Sequence, residues 1–167
     1  MYDTNLLMGL FKMLSEQKLD RPKFYQMLVR AVVQEMAVSR AAVWFYQGDL
    51  QDRLVCESLY DLSDNQWSSG MVLGEDDFGP YFAAMRDVRQ VVAVDARSDP
   101  ITACFNDSLL EPLNIYSVLS LPIELDGRQL GLVSCEQTSQ PRDWSTQDIQ
   151  YLKQVAAMIG LLLKKLG

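Results

Sequence analysis

The chain contains no histidine. Histidine is the usual general base near neutral pH and the commonest metal ligand, so its absence excludes Ser-His and Cys-His nucleophile pairs. Cysteine is scarce as well, since Cys56, Cys104 and Cys135 are widely spaced and form no C-x-x-C pair. The sequence therefore indicates neither a zinc site nor a disulfide framework, and it favours a reducing, cytoplasmic compartment. We expect no cofactor.

The chain also lacks a basic cluster and a long apolar run. Its 15 Lys and Arg are outnumbered by 22 Asp and Glu, which gives a net charge of −7 and would repel a phosphate backbone. The pair Lys164-Lys165 lies at the end of a predicted helix, where cations complement the helix macrodipole. Charged residues interrupt any membrane span near the N-terminus. We expect neither a nucleic-acid partner nor a membrane anchor.

The composition fits one folded unit. A chain of 167 residues, 49% of them apolar, can bury a substantial core within a single domain. We divide it into an N-terminal helix, residues 1–19, that could serve in dimerisation or signalling, and a domain, residues 20–167.

Two helices are predicted at the start of the chain. Apolar residues at three- and four-residue steps over residues 6–14 predict a short amphipathic helix that ends near Lys18. Asp20 is the expected N-cap of the second helix, which has Pro22 in its first turn and runs to about Ala37.

The middle of the chain alternates between strands and loops. Residues 41–46 (AAVWFY) predict a strand buried on both sides, and residues 54–60 (LVCESLY) predict a second strand that pairs with it. Residues 61–76 are rich in Asp, Ser and Gly and predict a long loop, with at most a short strand at residues 70–73. Asp77 is the expected cap of a short helix, and residues 91–94 (VVAV) predict a brief buried strand.

Residues 101–112 predict one or two helical turns. Asn106 or Asp107 is the expected cap, and Leu109, Leu110 and Leu113 are expected to pack inward.

The clearest local signal is a hairpin near the C-terminus. Two apolar runs, residues 117–123 and 130–136, flank Asp126-Gly127, whose tolerance of positive φ predicts a type I′ turn. Ser145 or Thr146 is the expected cap of the last helix, and Asp148 supplies negative charge in its first turn.

The last helix carries an apolar seam with heptad spacing. Its members are Ile149, Leu152, Ala156, Ile159, Leu163 and Leu166, and a second apolar set lies on another face of the helix. One interpretation is that a single broad face packs on the sheet. The other is that one face packs on the sheet while the seam pairs with a partner helix in a parallel homodimer.

Four consecutive motifs carry a family resemblance. They are DARSDP (95–100), PLNIYSVLSLPI (112–123), DGRQLGLVSCEQ (126–137) and PRDW (141–144). In this order they resemble the C-terminal half of a GAF domain, a small-molecule and signal-sensing module of bacterial sensor kinases, cyclases and phosphodiesterases. The resemblance covers roughly residues 20–165. The motifs DFGPY and RDWS are similar to those of GAF domains at the front of histidine kinases and diguanylate cyclases.

The resemblance implies an α+β fold with a central antiparallel sheet of five or six strands. The N- and C-terminal helices would lie on one face of the sheet, and short helices and loops would form a pocket on the other. Carried over by position, the ligand-binding residues would be Trp44, Tyr46, Trp67, Phe78, Tyr81, Phe82, Asp95, Phe105, Ser117 and Leu119.

Several of these residues also have a structural interpretation. Trp44 and Phe82 fit an ordinary aromatic core. Trp67 is the stronger candidate for function, because a large aromatic side chain in a polar loop needs something to cover it. Asp95 and Asp99 could bind a ligand amine, but a turn-forming role is favoured.

Three further side chains have structural interpretations in this region. Arg97 could clamp an anion or pair with a nearby aspartate, and the sequence does not decide between them. Glu136 and Arg142 are predicted to form a structural ion pair. Trp144 is predicted to act as a hydrophobic staple for the last helix.

Specialised GAF subfamilies match this chain poorly. Cys104 lies about one residue out of register with the linkage cysteine of bilin-binding photoreceptors, and the histidine that follows it there is absent. Free methionine sulfoxide reductases need a low-pKa cysteine with a resolving partner, whereas Cys56 and Cys135 lie in apolar strands. The Asn-Lys-Phe-Asp-Glu signature of cyclic-nucleotide-binding GAF domains is absent, and haem would lack a proximal histidine.

The sequence therefore predicts a sensory or regulatory GAF domain without catalytic activity. It would bind an unidentified small molecule or relay a conformational signal to an output domain such as a kinase or diguanylate cyclase, as a homodimer formed through its terminal helices. The alternatives are a cysteine-based redox enzyme that resembles free methionine sulfoxide reductase and a ligand-free dimerisation module.

Overall fold

Helices cover both faces of one antiparallel sheet in the computed structural model, which describes residues 1–166. The helices are α1 (Asn5–Ser15), α2 (Arg21–Met36), α3 (Glu75–Asp87) and α4 (Thr146–Leu166). The strands are β1 (Arg40–Gln47), β2 (Arg53–Asp61), β3 (Gln66–Ser68), β4 (Val72–Gly74), β5 (Val91–Ala93), β6 (Ile115–Leu125) and β7 (Arg128–Thr138). Their order is β3-β2-β1-β7-β6-β5, with β4 also paired to β2. The α+β prediction is confirmed, with seven strands in the sheet.

Helix α2 begins and ends where the local sequence predicts. The Asp20 carboxylate accepts a hydrogen bond from the Lys23 amide at 2.8 Å, and Ala37 adopts a left-handed conformation with φ 55°. The Asp20 bond satisfies an amide that has no partner within the helix, and the left-handed conformation of Ala37 ends the helix. Helix α1 ends at Ser15, earlier than predicted. None of the helices described within residues 1–166 is long and apolar enough to cross a membrane.

The alternation of side chains along β1 divides the core in two. Ala41 and Val43 pack with α1, α2 and α4 on one side of the sheet, which we call the helix face. Ala42 and Trp44 pack with α3 on the other side, which we call the pocket face. The terminal helices therefore share one face of the sheet, as predicted.

The β6–β7 hairpin has the predicted turn. Asp126 and Gly127 have φ values of 52° and 81°, and a type I′ turn needs positive φ at both central residues. In β7, Gly131 lies opposite Phe45 of β1, and a Cβ there would be 1.9 Å from the Trp44 carbonyl oxygen. The close approach of β1 and β7 therefore requires glycine at this position.

Residues 61–76 do not form the predicted long loop. Strand β3 pairs with residues 59–61 of β2, and β4 pairs with residues 53–55. Polar residues supply the tight turns around β3, where Asn65 and Gly70 have positive φ. The short strand expected at residues 70–73 is present as β4, one to two residues later, but β3 was not predicted, because strands this short leave no clear alternation in the sequence.

Helix α3 begins at Glu75, with Gly74 at its N-cap, so the predicted cap at Asp77 is wrong. Pro80 lies inside the helix and cannot donate a backbone hydrogen bond. The backbone departs from helical geometry at Phe78, where φ is −128° and ψ is 40°.

Residues 101–112 contain a 3-10 turn, Ala103–Phe105, followed by a π-helical turn, Asn106–Leu110. Leu110 is buried as predicted, but Leu113 is 43% exposed, so its inward packing was predicted wrongly. Asn106 does not cap a helix, because its side-chain amide instead donates to the Arg97 carbonyl at 2.9 Å.

Helix α4 begins at the predicted Ser145 cap. The Asp148 amide donates to the Ser145 hydroxyl, and the Ser145 amide donates to the Asp148 carboxylate, both at 3.0 Å. This reciprocal pair is a capping box with Asp in the position usually held by Glu. Further along, a Cβ on Gly160 would be 2.3 Å from the Glu124 carbonyl oxygen, so glycine allows α4 to approach the end of β6.

The predicted heptad seam of α4 faces the sheet of its own chain over half its length. Leu152, Ala156 and Ile159 are at most 2% exposed and belong to the helix-face core. These three residues are therefore unavailable to a partner helix, which corrects the predicted seam. Leu163 is partly buried and Leu166 is 42% exposed. The broad-face interpretation describes this helix better, because members of both apolar sets belong to the helix-face core: Tyr151, Leu152, Val155, Ala156, Ile159 and Leu162.

Candidate functional site

The pocket face holds a small internal cavity of about 40 Å³. It lies between the sheet, α3 and the two helical turns that follow β5. Its lining residues are Trp44, Leu54, Leu73, Tyr81, Phe105, Leu109, Leu110, Val118, Leu132, Ser134 and Glu136. Ligand pockets usually measure about 300–1,000 Å³, whereas one water needs about 10–15 Å³. The cavity in this conformation has room for water but not for an organic ligand.

Three of the predicted pocket residues, Trp44, Tyr81 and Phe105, line this cavity. The Phe105 ring stacks on Phe78 with 4.5 Å between centroids and meets Tyr81 edge-on at 5.1 Å. These contacts connect α3 to the 3-10 turn. Trp44 and Phe82 are both buried in the pocket-face core, in agreement with their structural interpretation.

The two tyrosines of this face are not acid–base groups near neutral pH. The Tyr81 and Ser120 hydroxyls are hydrogen-bonded at 2.7 Å, and burial raises the pKa of Tyr81 far above its usual range. Tyr46 packs against Phe82 with 6.2 Å between ring centroids, and burial raises the pKa of Tyr46 to about 12. Both phenols therefore stay protonated.

Trp67 does not cover the cavity, because it lies on the opposite side of the sheet. Its indole nitrogen donates to the Gln26 carbonyl of α2 at 2.8 Å, and its ring contacts Tyr60 at 4.9 Å between centroids. The Arg30 guanidinium lies 5.9 Å from the same ring. The tryptophan that was predicted to line the pocket is instead partly buried against the helix-face core.

Ser117 and Leu119 also face away from the cavity. Leu119 belongs to the helix-face core, and the intervening Val118 lines the cavity instead. The Ser117 hydroxyl donates to the Val94 carbonyl and accepts from the Arg142 amide, so it joins three segments of the backbone. Because strand side chains alternate with a period of two, an error of one residue moves the whole set to the other face.

The acidic turn is structural. Asp95 is exposed and does not line the cavity, while its carbonyl accepts from the Asp99 amide at 3.0 Å. The Asp99 carboxylate accepts from the Ile101 amide at 2.8 Å, which is the turn-forming role favoured from the sequence.

Arg97 does not pair with an aspartate in the part of the chain that the structure describes. Its guanidinium donates to the Ile115 carbonyl at 3.0 Å and to the Leu110 carbonyl at 3.3 Å. It also lies 4.3 Å from the centre of the Tyr116 ring. Arg97 therefore fastens the π-helical turn to β6.

A buried ion triad at one end of the pocket face was not predicted. Arg40 of β1 donates to Asp61 of β2 at 2.6 Å and to Glu136 of β7 at 2.8 Å. The three residues are direct cross-strand neighbours, and Arg40 is buried. Burial alone would lower the pKa of Arg40, but the carboxylates of Glu136 and Asp61 outweigh it and raise that pKa. Glu136 thereby brings a charged group to the cavity wall.

A second polar network joins the two terminal helices. Arg142 does not pair with Glu136 as predicted, but donates to Asp148 of α4 at 2.9 Å through Nη2. The Tyr2 hydroxyl, just before α1, donates to the same carboxylate. Arg142 also donates to the Ala37 carbonyl at the end of α2 at 3.2 Å. This network, Tyr2–Asp148–Arg142, fixes α1, α2 and α4 relative to one another.

The pKa of Asp148 reflects this network. Burial would raise the pKa of this carboxyl, but hydrogen bonds from Arg142, Tyr2 and the Ser145 amide outweigh it and hold the pKa below its usual range. Trp144 is buried beside the network, and its indole donates to the Ala93 carbonyl at 3.2 Å.

The cysteines are shielded from reaction. Burial raises the pKa of the Cys56 thiol to about 12 and that of Cys135 still further. Cys56 lies in the pocket-face core and Cys135 in the helix-face core, so the sheet separates them. Burial also raises the pKa of the half-buried Cys104. Across residues 1–166, no three His, Cys, Asp or Glu side chains are grouped to hold a metal ion.

Comparisons with known proteins identify relatives of this chain in sequence and in structure. The family model described as GAF domain matches residues 20–163. A curated methyl-accepting chemotaxis protein of Synechocystis sp. is 31% identical over 85 residues. That stretch is 51% of this chain and 8% of the relative, so the chain spans only a small part of the relative's length.

Solved structures share the fold at low sequence identity. A phycocyanobilin-bound GAF domain from a cyanobacterial phytochrome has a TM-score of 0.77 at 13% identity, over 98% of this chain and 96% of the other. Residues 122 to 287 of a methyl-accepting chemotaxis protein give 0.73 at 16% identity, over 93% and 95%. The blue-light-absorbing form of the Thermosynechococcus elongatus PixJ GAF domain gives 0.69 at 18% identity, over 98% and 90%.

Proposed function

Because this chain belongs to the GAF domain family, we propose that it is a cytoplasmic regulatory module that relays a conformational signal between its terminal helices. The observation that carries the proposal is the Tyr2–Asp148–Arg142 network, in which one buried carboxylate holds the segment before α1 and the start of α4. A displacement at either helix must break or rearrange bonds to the same side chain. The receiving output domain would be a signalling domain such as a kinase or diguanylate cyclase.

Hydrogen–deuterium exchange of the Tyr2→Phe variant tests the relay. This substitution removes one hydroxyl and keeps the ring that packs edge-on against Tyr151. We expect faster exchange in both α1 and the first turns of α4, because both lose a shared contact. Asp143→Asn is the matched control, since Asp143 is exposed in the loop before α4. Faster exchange confined to residues near Tyr2 would contradict the proposal.

A small-molecule signal is the second candidate function. It is favoured by the polar groups of Ser134 and Glu136 in the cavity wall, and by the π-helical turn that covers the cavity. Turns of this kind often occur at functional sites. A ligand larger than water would have to displace Leu109 or Phe105. Comparing the native and denatured masses of the protein purified from its own cytoplasm tests this, because a retained ligand adds mass only to the native form.

A bilin does not fit this site. The cavity lined by Trp44, Leu109 and Leu110 measures only about 40 Å³, and the chain has no histidine to hold a tetrapyrrole. The redox-enzyme alternative is also disfavoured, because an attacking cysteine needs a low pKa and all three thiols have raised pKa values. We propose that the domain is not an enzyme.

We also propose a homodimer through the terminal helices, with contact residues revised from the sequence prediction. Helix α1 exposes Leu6 and Met8, each 56% accessible, and α4 exposes Leu161, which is 69% accessible. Met8 and Leu161 border the same apolar groove between the two helices. Light scattering should show a dimer that Leu161→Asp dissociates and Leu50→Asp does not, since Leu50 is equally apolar and exposed but distant in the β1–β2 turn. A monomer at high micromolar concentration would exclude this dimer.

A further inference from the structure

A second concavity, of about 680 Å³, lies at the edge of the sheet. Its walls are one side of α4, the end of β6 with the following turn, and residues 88–90 between α3 and β5. We call it the edge groove. Helix α1 contributes none of its lining residues, and Leu161 is the one residue that the edge groove shares with the groove between α1 and α4.

The edge groove exists because the edge strand β5 is much shorter than its neighbour β6. Strand β5 pairs with only residues 118–120 of β6, so within residues 1–166 no strand covers the following half of β6 on this side. Pro122 lies in this uncovered half and cannot donate a ladder hydrogen bond. An added strand is therefore a poor occupant, and the side chains of the groove must make the recognition contacts.

The groove presents apolar surface to solvent at both of its rims. Val88 is 61% exposed on one rim and Leu161 is 69% exposed on the other. Pro122 and Leu125 lie half-buried between them. Apolar residues gathered around a concavity and bordered by charges are typical of a partner-binding surface.

The charge of the groove is opposite to that of the chain. Arg89, Lys153 and Lys164 line it together with two carboxylates, Glu124 and Asp126, so the local formal charge is +1 against −7 for the whole chain. Arg89 pairs with Glu124 at 3.0 Å and Lys164 with Asp126 at 3.3 Å, both in exposed positions. Lys153 has no carboxylate within salt-bridge distance in the part of the chain that is described. Exposed pairs contribute little and can be exchanged for a partner's carboxylates.

The spacing of the cations selects an elongated occupant. Lys153 and Lys164 are three turns apart on α4, which corresponds to about 16 Å at 1.5 Å per residue. One small anion cannot reach both ammonium groups, whereas the side of a helix with acidic residues about three turns apart can. We propose that the edge groove binds an acidic, amphipathic helical segment of a partner protein, whose apolar face covers Val88, Pro122 and Leu125.

The test uses the whole chain and two synthetic probes. One is a fluorescein-labelled 18-residue amphipathic peptide, about five helical turns long, with a leucine face flanked by glutamates, and the other has lysine at every glutamate position. Fluorescence anisotropy should show saturable binding of the acidic peptide and at least about fivefold weaker binding of the basic one. Amide shifts of the labelled chain should cluster at Val88, Gln90 and the exposed side of α4.

Charge variants distinguish binding at the edge groove from nonspecific electrostatic attraction between the peptide and the chain. Lys153→Glu should weaken the acidic peptide about fivefold or more, and Val88→Asp should weaken it similarly. Lys12→Glu makes the same charge change beside the other groove and should leave the affinity within about twofold. The proposal is overturned if both peptides bind equally, if Lys12→Glu weakens binding as much as Lys153→Glu, or if inorganic pyrophosphate produces the groove shifts while the acidic peptide does not.

Discussion

Replacing Asp148 with asparagine should destabilise the domain in a pH-dependent way. The substitution keeps the shape of the side chain, which can still accept from the Ser145 amide, but it removes the charge that Arg142 and Tyr2 contact. The Asp148 carboxylate is 3% exposed and Arg142 is 21% exposed, so the pair is only weakly screened by solvent. Asp148→Asn therefore tests whether this carboxylate holds the terminal helices in place.

The expected loss is about 2 kcal/mol in the free energy of unfolding. Hydrogen bonds to charged groups contribute about 1.5–3 kcal/mol, and breaking a buried pair costs about 3–5 kcal/mol. We expect a loss near the lower end of these ranges, because Arg142 can turn toward solvent and because asparagine retains the hydrogen bond from the Ser145 amide. For a domain of this size the melting temperature should fall by about 4–8 °C.

The sign of the pH dependence follows from the lowered pKa of Asp148. A carboxyl with a lower pKa in the folded state stabilises the fold above its unfolded pKa of about 3.9, and this contribution is lost as the pH falls through the folded value. Urea unfolding at several pH values should show a constant difference between the parent and Asp148→Asn from pH 7 to about 5. The difference should shrink below about pH 4.

Asp143→Asn is the matched control, because Asp143 is an exposed carboxylate of the same loop. Its effect should stay within about 0.5 kcal/mol at every pH. The reasoning fails if Asp148→Asn also stays within that range at pH 7, or if its effect does not diminish in acid.

Three further predictions concern the core. Arg40→Met should cost about 3 kcal/mol in urea unfolding, the lower end for breaking a buried pair, because it leaves the partly buried Asp61 and Glu136 without their cation. Arg53→Met at the exposed start of β2 should cost under about 0.5 kcal/mol. Equal effects of the two substitutions would contradict the role of the triad. Gly131→Ala should lower the free energy of unfolding by about 3 kcal/mol or more, or prevent folding, because the added Cβ meets the β1 backbone. The control Gly79→Ala has open space around the added Cβ and should melt at or slightly above the temperature of the parent. A stable Gly131→Ala protein would show that β1 and β7 can separate. The Cys56 thiol, with its pKa raised to about 12, should resist alkylation at pH 8 until urea unfolds the chain. Alkylation is measured by mass spectrometry, and rapid labelling of the native protein would support the redox-enzyme alternative.

Elements with a local cause were predicted well. The Asp20 cap, the Ser145 cap and the Asp126-Gly127 turn depend on bonds or backbone angles within four residues of each position. Interactions between residues so close in the chain can be predicted from the local sequence. The order of such elements carried the GAF resemblance, and the resemblance in turn implied the division of helices between the two faces of the sheet.

The candidate site was predicted only in part. Trp44, Tyr81 and Phe105 reach the cavity, but Trp67 and Leu119 lie on the helix face. Alternation tells which residues of a strand share a face, but it does not tell which face that is when both are buried. Strand β6 is buried on both faces around these residues, so its sequence gives no sign that Val118 rather than Leu119 faces the cavity.

The sequence by itself determined the family, the order of the elements and the absence of histidine chemistry. Tertiary structure alone decided that Arg40 pairs with Asp61 and Glu136, at separations of 21 and 96 residues, and that Asp148 binds Tyr2 across 146 residues. It also decided that the apolar stripe of α4 is used inside the chain and that the cavity is nearly filled. These features depend on which strands become neighbours and how closely their side chains pack, and such long-range contacts leave no periodic signal in the chain.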